Sequence, residues 1–276
     1  MMTNGDLEKA AALKAEGNKY FTSGNYVVAE SLYSKAIIVD DTNHTLYTNR
    51  AMSRLRLELY ESATADCHTC LNMSGPNKKA HFILSQCLLA MNDYDGALEN
   101  AIIAYRLACE MGDKALAPLT ALVLRCKKER WEELEKKRHR EGQELERQLI
   151  SLLERDRGEN LALCDDEIER TVVIEECNAK IEALRATFEA ARGVKDKKRE
   201  VPDWAIDDIT FDIMVDPVMT KTGKSYERAS IIEALRRQPV DPITREPLYP
   251  SELRPNLGLK QACEQFLDQN GWAADW

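Results

Sequence analysis

The sequence predicts a mostly α chain in three parts: an α-solenoid of helix pairs, a charged helical hairpin with a coiled-coil seam, and a small α+β domain at the C-terminal end. Three observations predict this. Small and aromatic residues recur with a period of 34 in the first part, about half of the middle part is charged, and turn residues crowd the last. Length agrees, because 276 residues exceed one ordinary core and suit about two domains plus a connector. Gly and Pro number only 12 and 9, which favours long solvated helices over a sheet-rich body.

Four columns carry the repeat: Tyr26, Tyr60 and Tyr94; Ala29, Ala63 and Ala97; Gly17, Ala51 and Ser85; Ala36, Cys70 and Ala104. Each unit reads as two amphipathic helices, with small residues letting paired helices approach and the tyrosine filling the space between neighbours. The units fall at about 10–43, 44–77 and 78–111, and the pattern is that of tetratricopeptide repeats. Such units cannot bury their apolar faces alone, so a closing helix is needed. The stretch 116–130, with Leu119, Leu122, Val123 and Leu124, supplies it and closes a first domain at 7–130.

A three-unit array curls around a groove lined by the first helix of each pair. Lys14 and Asn18 on the first such helix, Asn49 and Arg56 on the second and Lys79 on the third offer ammonium, guanidinium and amide donors suited to a carboxylate. In their contexts, K-A-E-G-N-K-Y from Lys14, T-N-R-A from Thr48 and K-A-H-F from Lys79, they resemble the carboxylate clamp of co-chaperone tetratricopeptide domains. That resemblance implies binding of the acidic C-terminal tails of heat-shock chaperones of the seventy- and ninety-kilodalton classes. Phe82 is either an apolar wall for the ligand or inter-helix core. The stretch 110–118 is longer than the family's, so the match does not place the acidic residue that completes the family's clamp, and Asp113 is no more than a guess at it. Cys67, His68 and Cys70 spell C-H-T-C, but Cys67 and Cys70 fall in packing columns and no second ligand pair accompanies them, so no metal is expected.

From 127 to 200 the chain holds 18 Lys or Arg and 20 Asp or Glu. Leu145, Leu149 and Leu152, then Ile174, Cys177, Ile181, Leu184 and Phe188, step by threes and fours as a coiled-coil seam does. Gly158, in the break at 157–160, suggests a helical hairpin over 131–200. A narrow apolar stripe on a charged helix needs a partner. A second copy of the chain is the economical one, and packing on the chain's own repeats is the alternative. The basic runs 136–140 and 195–199 read as solvated helix face and linker rather than nuclear-localisation or anion-binding patches.

Pro202 ends the helical region, and turns then follow closely: Asp216-Pro217, Thr222-Gly223, Asp241-Pro242, Glu246-Pro247 and Arg254-Pro255-Asn256. Helices are expected at about 229–237 and 257–267. The domain 201–276 is small enough to want a staple, yet Cys263 is its sole cysteine and no histidine follows His139, so polar networks must brace it. The runs I-T-F-D-I-M-V-D-P-V from Ile209, G-K-S-Y-E-R from Gly223, D-P-I-T-R-E-P-L from Asp241 and P-N-L from Pro255 resemble a U-box, the zinc-less relative of the RING domain. The resemblance implies a ligase that recruits a charged ubiquitin-conjugating enzyme on an apolar groove formed by Ile209, Phe211, Met214 and Pro242. It also implies that Arg245 is the linchpin cation bridging the conjugating enzyme and its thioester-linked ubiquitin, with braces for the second loop against Asp216 as the alternative. Cys263 lies on an inward face with no histidine near it and is not expected to carry ubiquitin covalently.

Clamp, hairpin and U-box in this order resemble the family of the C-terminus-of-heat-shock-cognate-interacting protein, CHIP. The implied protein is a homodimeric quality-control ligase that needs no cofactor and modifies misfolded clients presented by bound chaperones. The competing class is a non-catalytic co-chaperone. No apolar run approaches the ~20 residues that span a bilayer, and the first nine residues lack a signal-peptide layout. A net charge of -9 argues against nucleic acid as partner. Eight cysteines without framework spacing suit reduced thiols in the cytoplasm, with the nucleus a second location.

Overall fold

A computed structural model describes residues 4–113, 116–193 and 200–276, so the basic run 195–199 lies outside the described residues. The chain falls into two compact units, one formed by the stretch up to Trp131 together with Asp203–Trp276, the other by Glu132–Pro202.

Six helices pair in order: α1 (Asn4–Thr22) with α2 (Tyr26–Val39), α3 (His44–Arg56) with α4 (Tyr60–Ser74), and α5 (Lys78–Ala90) with α6 (Tyr94–Glu110). Their ends are chemically specified. Asn25, Asn43, Asn77 and Asp93 accept the first free N–H groups of the helices they precede, as N-caps do. Each first helix closes on a left-handed residue in the same register, Gly24 (φ 82), Glu58 (φ 61) and Asn92 (φ 63). The next N–H reaches back five residues, from Asn25 to Tyr20, Leu59 to Arg54 and Asp93 to Leu88, the Schellman closure.

The small columns explain the close pairing. Ala29, Ala63, Ala97, Ala51, Ser85, Ala36, Cys70 and Ala104 are all fully buried. A β-carbon on Gly17 would stand 2.8 Å from the Tyr33 ring. The later units relax both partners together, setting Ala51 opposite Cys67 and Ser85 opposite Ala101 in the same register. Arg50 and Arg54 of α3 join the first two pairs by meeting Asp66 of α4 at 2.6 and 2.9 Å and, for Arg54, Glu30 of α2 at 2.8 Å.

The closing helix is longer than expected. α7 (Ala117–Leu163) begins as the predicted cap, with Leu119, Leu122, Val123 and Cys126 buried against α6 residues, but does not stop near residue 130. It also runs through Gly158: nothing lies within 4 Å of a β-carbon there, and one exposed glycine costs only ~1 kcal/mol, which a long helix absorbs. The hairpin turn therefore falls at 164–166, before α8 (Glu167–Gly193).

Inside the second unit the predicted seam divides between two faces. Cys177 and Ile181 are buried, Leu184 and Phe188 half-buried, and Cys177 Sγ lies 3.4 Å from the Leu153 carbonyl oxygen of α7, so this stripe is consumed within the hairpin. Leu134, Leu145, Leu152 and Leu163 stay exposed. Steps of 11, 7 and 11 place them along one line of α7.

The C-terminal domain holds a sheet of β1 (Pro217–Met219), β2 (Ser225–Glu227) and β3 (Arg254–Pro255) in the order β2-β1-β3, with α9 (Arg228–Arg237) and α10 (Leu257–Gln269). Val218, Tyr226, Ile231, Leu235 and Leu248 form its core. Polar groups brace it. Asp216 accepts from Arg228 at 2.5 Å, Lys260 at 2.8 Å and Tyr105 of α6 at 3.2 Å. Burial alone would raise the Asp216 carboxyl, but Lys260 and Arg228 hold it below its ordinary value. Among the described residues no helix is long and apolar enough to cross a membrane.

Candidate functional site

Two regions carry chemistry. The first joins the first helices of the three pairs. Lys79 Nζ donates to Asn49 Oδ1 at 2.7 Å, Asn49 Nδ2 donates to Asn18 Oδ1 at 3.2 Å, and Tyr33 donates to the same oxygen at 2.8 Å. The tyrosine that forces glycine at position 17 thus also orients Asn18. Lys14 donates to Thr45 at 2.6 Å and is near enough to act electrostatically on Lys79. Loss of water and then the Lys14 charge push the Lys79 ammonium below its ordinary pKa, although the side chain keeps some exposure. Neither lysine is ion-paired among the described residues, so two cations from different helices share a site without an acid.

Phe21, Met52, Tyr33 and Thr22 line a hollow of about 160 Å³ beside Asn18, Asn49 and Lys79. Phe21 and Met52 were not legible as site residues from repeat columns; their signal is a position three residues past Asn18 and Asn49, on the same helical face. Phe82 is half-buried and packs against the apolar clusters of both the second and the third pair. Arg56 stands exposed two turns beyond Asn49 and joins none of these bonds. Asp113 pairs with Lys78, the neighbour of Lys79, and so is engaged outside the donor set. Cys67 and Cys70 are buried with thiols raised by burial, placing them in the packing.

The second region consists of two loops with one backbone plan. In the loop 206–213 the bridge Ile206–Ile213 closes the base; in the loop 240–247 the bridge Val240–Pro247 does. Asp207 N donates to Asp212 O at 2.9 Å and Phe211 N to Asp207 O at 2.8 Å; Asp241 N donates to Glu246 O at 2.8 Å and Arg245 N to Asp241 O at 2.9 Å. Each aspartate is buried and turns its carboxylate on its own loop: Asp207 accepts from Thr210 N at 3.1 Å, and Asp241 from Ile243 N at 2.9 Å and Thr244 N at 3.2 Å. Strand β2 ties both loops together, since Glu227 N donates to Asp207 at 2.9 Å and the Tyr226 hydroxyl to Asp241 at 3.1 Å.

At the corresponding crest of each loop a residue that is not glycine adopts a left-handed conformation: Phe211 at φ 64 and Arg245 at φ 62. Such a conformation costs of order 1 kcal/mol and persists where surrounding bonds over-determine it. It presents the side chain outward. Phe211 is 70% exposed, and Arg245 is exposed with no side-chain partner among the described residues. Asp216, the alternative brace for Arg245, is instead occupied by Arg228 and Lys260.

Ile209 and Pro242 are half-buried on the same loops. Met214 is not part of any docking surface: it is 2% exposed and shares a small hollow with Tyr105, Val123 and Leu267. An interior side chain has no area to offer a partner, so Met214 is core. Ile243, 56% exposed, was missed. The signal was the near-repetition of Asp207-Asp208-Ile209-Thr210-Phe211-Asp212 as Asp241-Pro242-Ile243-Thr244-Arg245-Glu246. Cys263 is fully buried, and desolvation pushes its thiol up to about 11, the opposite of a nucleophilic thiolate.

The U-box domain family matches residues 201–272. E3 ubiquitin-protein ligase CHIP of Arabidopsis thaliana is 28% identical over 285 aligned positions, covering 99% of this chain and 98% of that protein. RNA polymerase II-associated protein 3 of Xenopus tropicalis is 37% identical over 95 residues, 34% of this chain and 14% of its own length. Among solved structures, the first repeat domain of Spaghetti bound to an HSP90 peptide aligns at 31% identity and TM-score 0.36, covering 36% of this chain and 79% of that one. The chain thus carries a U-box domain over residues 201–272 and is similar along 99% of its length to an E3 ubiquitin-protein ligase, CHIP.

Proposed function

We propose that the chain binds the acidic C-terminal tails of heat-shock chaperones of the seventy- and ninety-kilodalton classes in the repeat groove and passes ubiquitin to the clients they hold. The observation that supports the groove reading is the meeting of Lys14 and Lys79 with the Asn18–Asn49 pair and no acid among them. A peptide carboxylate supplies the missing charge, and charge-assisted hydrogen bonds are the strong ones. The hollow against Phe21 and Met52 takes an aliphatic side chain near that terminus.

On the U-box, Phe211, Ile209, Ile243 and Pro242 form an apolar rim of the kind a transient interface uses. A ubiquitin-conjugating enzyme docks there, and Arg245 spans from the neighbouring loop to the enzyme-linked ubiquitin. Arginine suits this task because its planar fork donates several hydrogen bonds at once. Catalysis is positioning of the thioester toward the client lysine, which removes orientational freedom before attack, and no ligase nucleophile takes part. Burial of the Cys263 thiol agrees with that division of labour.

The exposed line of Leu134, Leu145, Leu152 and Leu163 supports a homodimer joined through the hairpin, in keeping with the tendency of apolar patches to be covered. The burial of Cys67, Cys70, Cys87, Cys126 and Cys263 as packing residues suits a reducing compartment, the cytoplasm or the nucleus.

The test mixes the full chain with activating enzyme, a panel of conjugating enzymes, ubiquitin and a heat-shock chaperone. Wild type modifies the chaperone; Lys14→Ala loses that modification while still modifying itself; Phe211→Ala loses both. A wild-type protein inert with every conjugating enzyme yet still bound to the chaperone would establish a non-catalytic co-chaperone instead.

A further inference from the structure

Within the unit that contains both the repeats and the U-box, α7 has two faces at its start. Leu119, Leu122, Val123 and Cys126 cap the repeats, and helical geometry puts Ala117, Ala121 and Leu124, spaced by four and three, on the opposite face. A closing helix ordinarily turns a polar surface outward. This one turns out two exposed alanines and a half-buried leucine. They form one wall of a cavity of about 680 Å³ whose other wall includes Ile209, Ile213 and Ala234 of the U-box.

Ile209 belongs to two surfaces. It sits on the loop 206–213 with Phe211, in the apolar rim, and it also lines this cavity, so the rim continues past Ile209 to the wall of α7. Asp212, Glu233, Arg237 and Gln238 border the cavity and are exposed, and Glu233 pairs with Arg236 and Arg237 at 3.1 and 3.3 Å. An apolar floor inside a polar border is the layout of a protein interface. Ala117 and Ala121 keep the cavity open, because neither side chain extends beyond its β-carbon.

We propose that the cavity receives an apolar side chain of the ubiquitin-conjugating enzyme held at Phe211 and Ile209, and that α7 thereby selects among conjugating enzymes by the size of that side chain. The inference rests on the reading of the rim as the conjugating-enzyme surface. A side chain seated here is covered by the U-box on one side and by the repeat array on the other, and well-packed desolvated positions of this kind carry most of the affinity of an interface. Filling the space from α7 acts as a clash against bulky side chains and spares small ones, which is how one surface discriminates between related partners.

The test measures binding of a panel of conjugating enzymes to the full chain by fluorescence polarisation, for wild type, Ala121→Leu, Ala121→Trp and Phe211→Ala. Both Ala121 variants fill the cavity from an exposed position of α7 and are expected to unfold at the wild-type temperature. Ala121→Trp is expected to weaken at least one conjugating enzyme by about tenfold and to spare another, so that the order of affinities changes; Ala121→Leu is expected to weaken the same enzyme less. Alanine substitution of the exposed apolar residues of the weakened enzyme is expected to find one that lowers its affinity for wild type but not for Ala121→Trp, where the contact is already lost. An unchanged order of affinities overturns the proposal, whether all enzymes bind Ala121→Trp as before or all weaken together, and so do alanine losses that add to that of Ala121→Trp at every position. Phe211→Ala separates the two readings. If it binds every conjugating enzyme as wild type does, the rim reading itself falls; if it loses binding while Ala121→Trp changes nothing, the role of α7 alone is overturned.

Discussion

The loops 206–213 and 240–247 share a backbone and differ in what they offer a partner. Each is closed by a two-residue bridge, each wraps a buried aspartate, and each holds its fifth residue past that bridge in the left-handed region. One carries a phenyl ring there and the other a guanidinium. A zinc-binding loop draws its shape from metal–ligand bonds that are worth folding free energy outright; these loops draw theirs from carboxylates accepting backbone N–H groups. The shape is thus separable from the side chain displayed on it. One loop shows the apolar surface that holds a partner, the other the cation that acts on what the partner carries.

The largest effect comes from removing the carboxylates. Asp207→Ala strands Thr210 N and Glu227 N, and Asp241→Ala strands Ile243 N, Thr244 N and the Tyr226 hydroxyl. Loss of a buried charged acceptor costs about 3–5 kcal/mol, a large share of the stability of a small domain. Thermal unfolding of either variant is expected to show the C-terminal domain melting first and ligase activity vanishing with it. Retention of wild-type stability in both variants would mean that the loops are shaped by something other than their aspartates.

Next in size is a pH effect, and its sign separates Glu227 from Asp241. Burial, outweighing the bonds from Asp216 N and Val215 N, raises Glu227 to about 7 from its usual value near 4.5. A carboxyl raised in the folded state binds its proton more tightly there, so its stabilising contribution is complete at low pH and is lost as pH rises through about 7. The difference of about 2.5 pH units corresponds to roughly 3 kcal/mol at most. Asp241 runs the other way: burial raises it, but the N–H groups of Ile243 and Thr244 win and hold it below its ordinary value, so its contribution is present above about pH 4 and lost in acid. Chemical denaturation at pH 5 and pH 8 is expected to show lower stability at pH 8, and Glu227→Gln is expected to flatten that difference while leaving the acid limb intact.

How much of this was legible beforehand follows from how local each signal is. The helix pairs were readable because close packing demands a small residue every 34 positions, and Gly17, Ala51 and Ser85 meet that demand. Lys14, Asn18, Asn49 and Lys79 were readable because register alone carries them onto one face of successive helices. The reach of α7 was not, because one exposed glycine at 158 and a rich supply of charges look the same in a helix and in a turn. Met214 was misplaced for a related reason: Phe211 and Met214 lie three apart in an apolar run, and only the left-handed turn at Phe211 sends one outward and the other inward. Ile243 was not legible because an isoleucine between Pro242 and Thr244 has no periodic neighbour to assign it a face, and only the shared plan of the loops 206–213 and 240–247 turns it outward.

A smaller effect distinguishes the two crests by function. Phe211→Ala removes most of the exposed apolar area of its loop and is expected to weaken conjugating-enzyme binding by tenfold or more, about 1.4 kcal/mol. Arg245→Ala is expected to leave that binding near wild type and to slow ubiquitin discharge from the conjugating enzyme to free lysine. Binding followed by fluorescence polarisation and discharge followed in single turnover separate the two. If Arg245→Ala weakens binding as much as Phe211→Ala does, the loops share one role rather than dividing two.

The smallest effect is the most discriminating, because stability and activity then move in opposite directions. A residue with a β-carbon held at φ near +60° gives up of order 1 kcal/mol relative to glycine. Glycine at either crest is therefore expected to relieve that cost, less the backbone entropy it adds to the unfolded chain, while deleting the displayed group. Phe211→Gly and Arg245→Gly are each expected to match or exceed the stability of the corresponding alanine variant by up to about 1 kcal/mol and to be equally inactive. Glu58, which closes α3 at φ 61 and joins none of the bonds of either region, is the control: Glu58→Gly is expected to gain similarly and keep full activity. A gain at Glu58 with none at Phe211 or Arg245 would mean that the crest conformation is set by the bonds of its own aspartate so firmly that a β-carbon costs nothing there, and strain would drop out of the account of how these loops present their side chains.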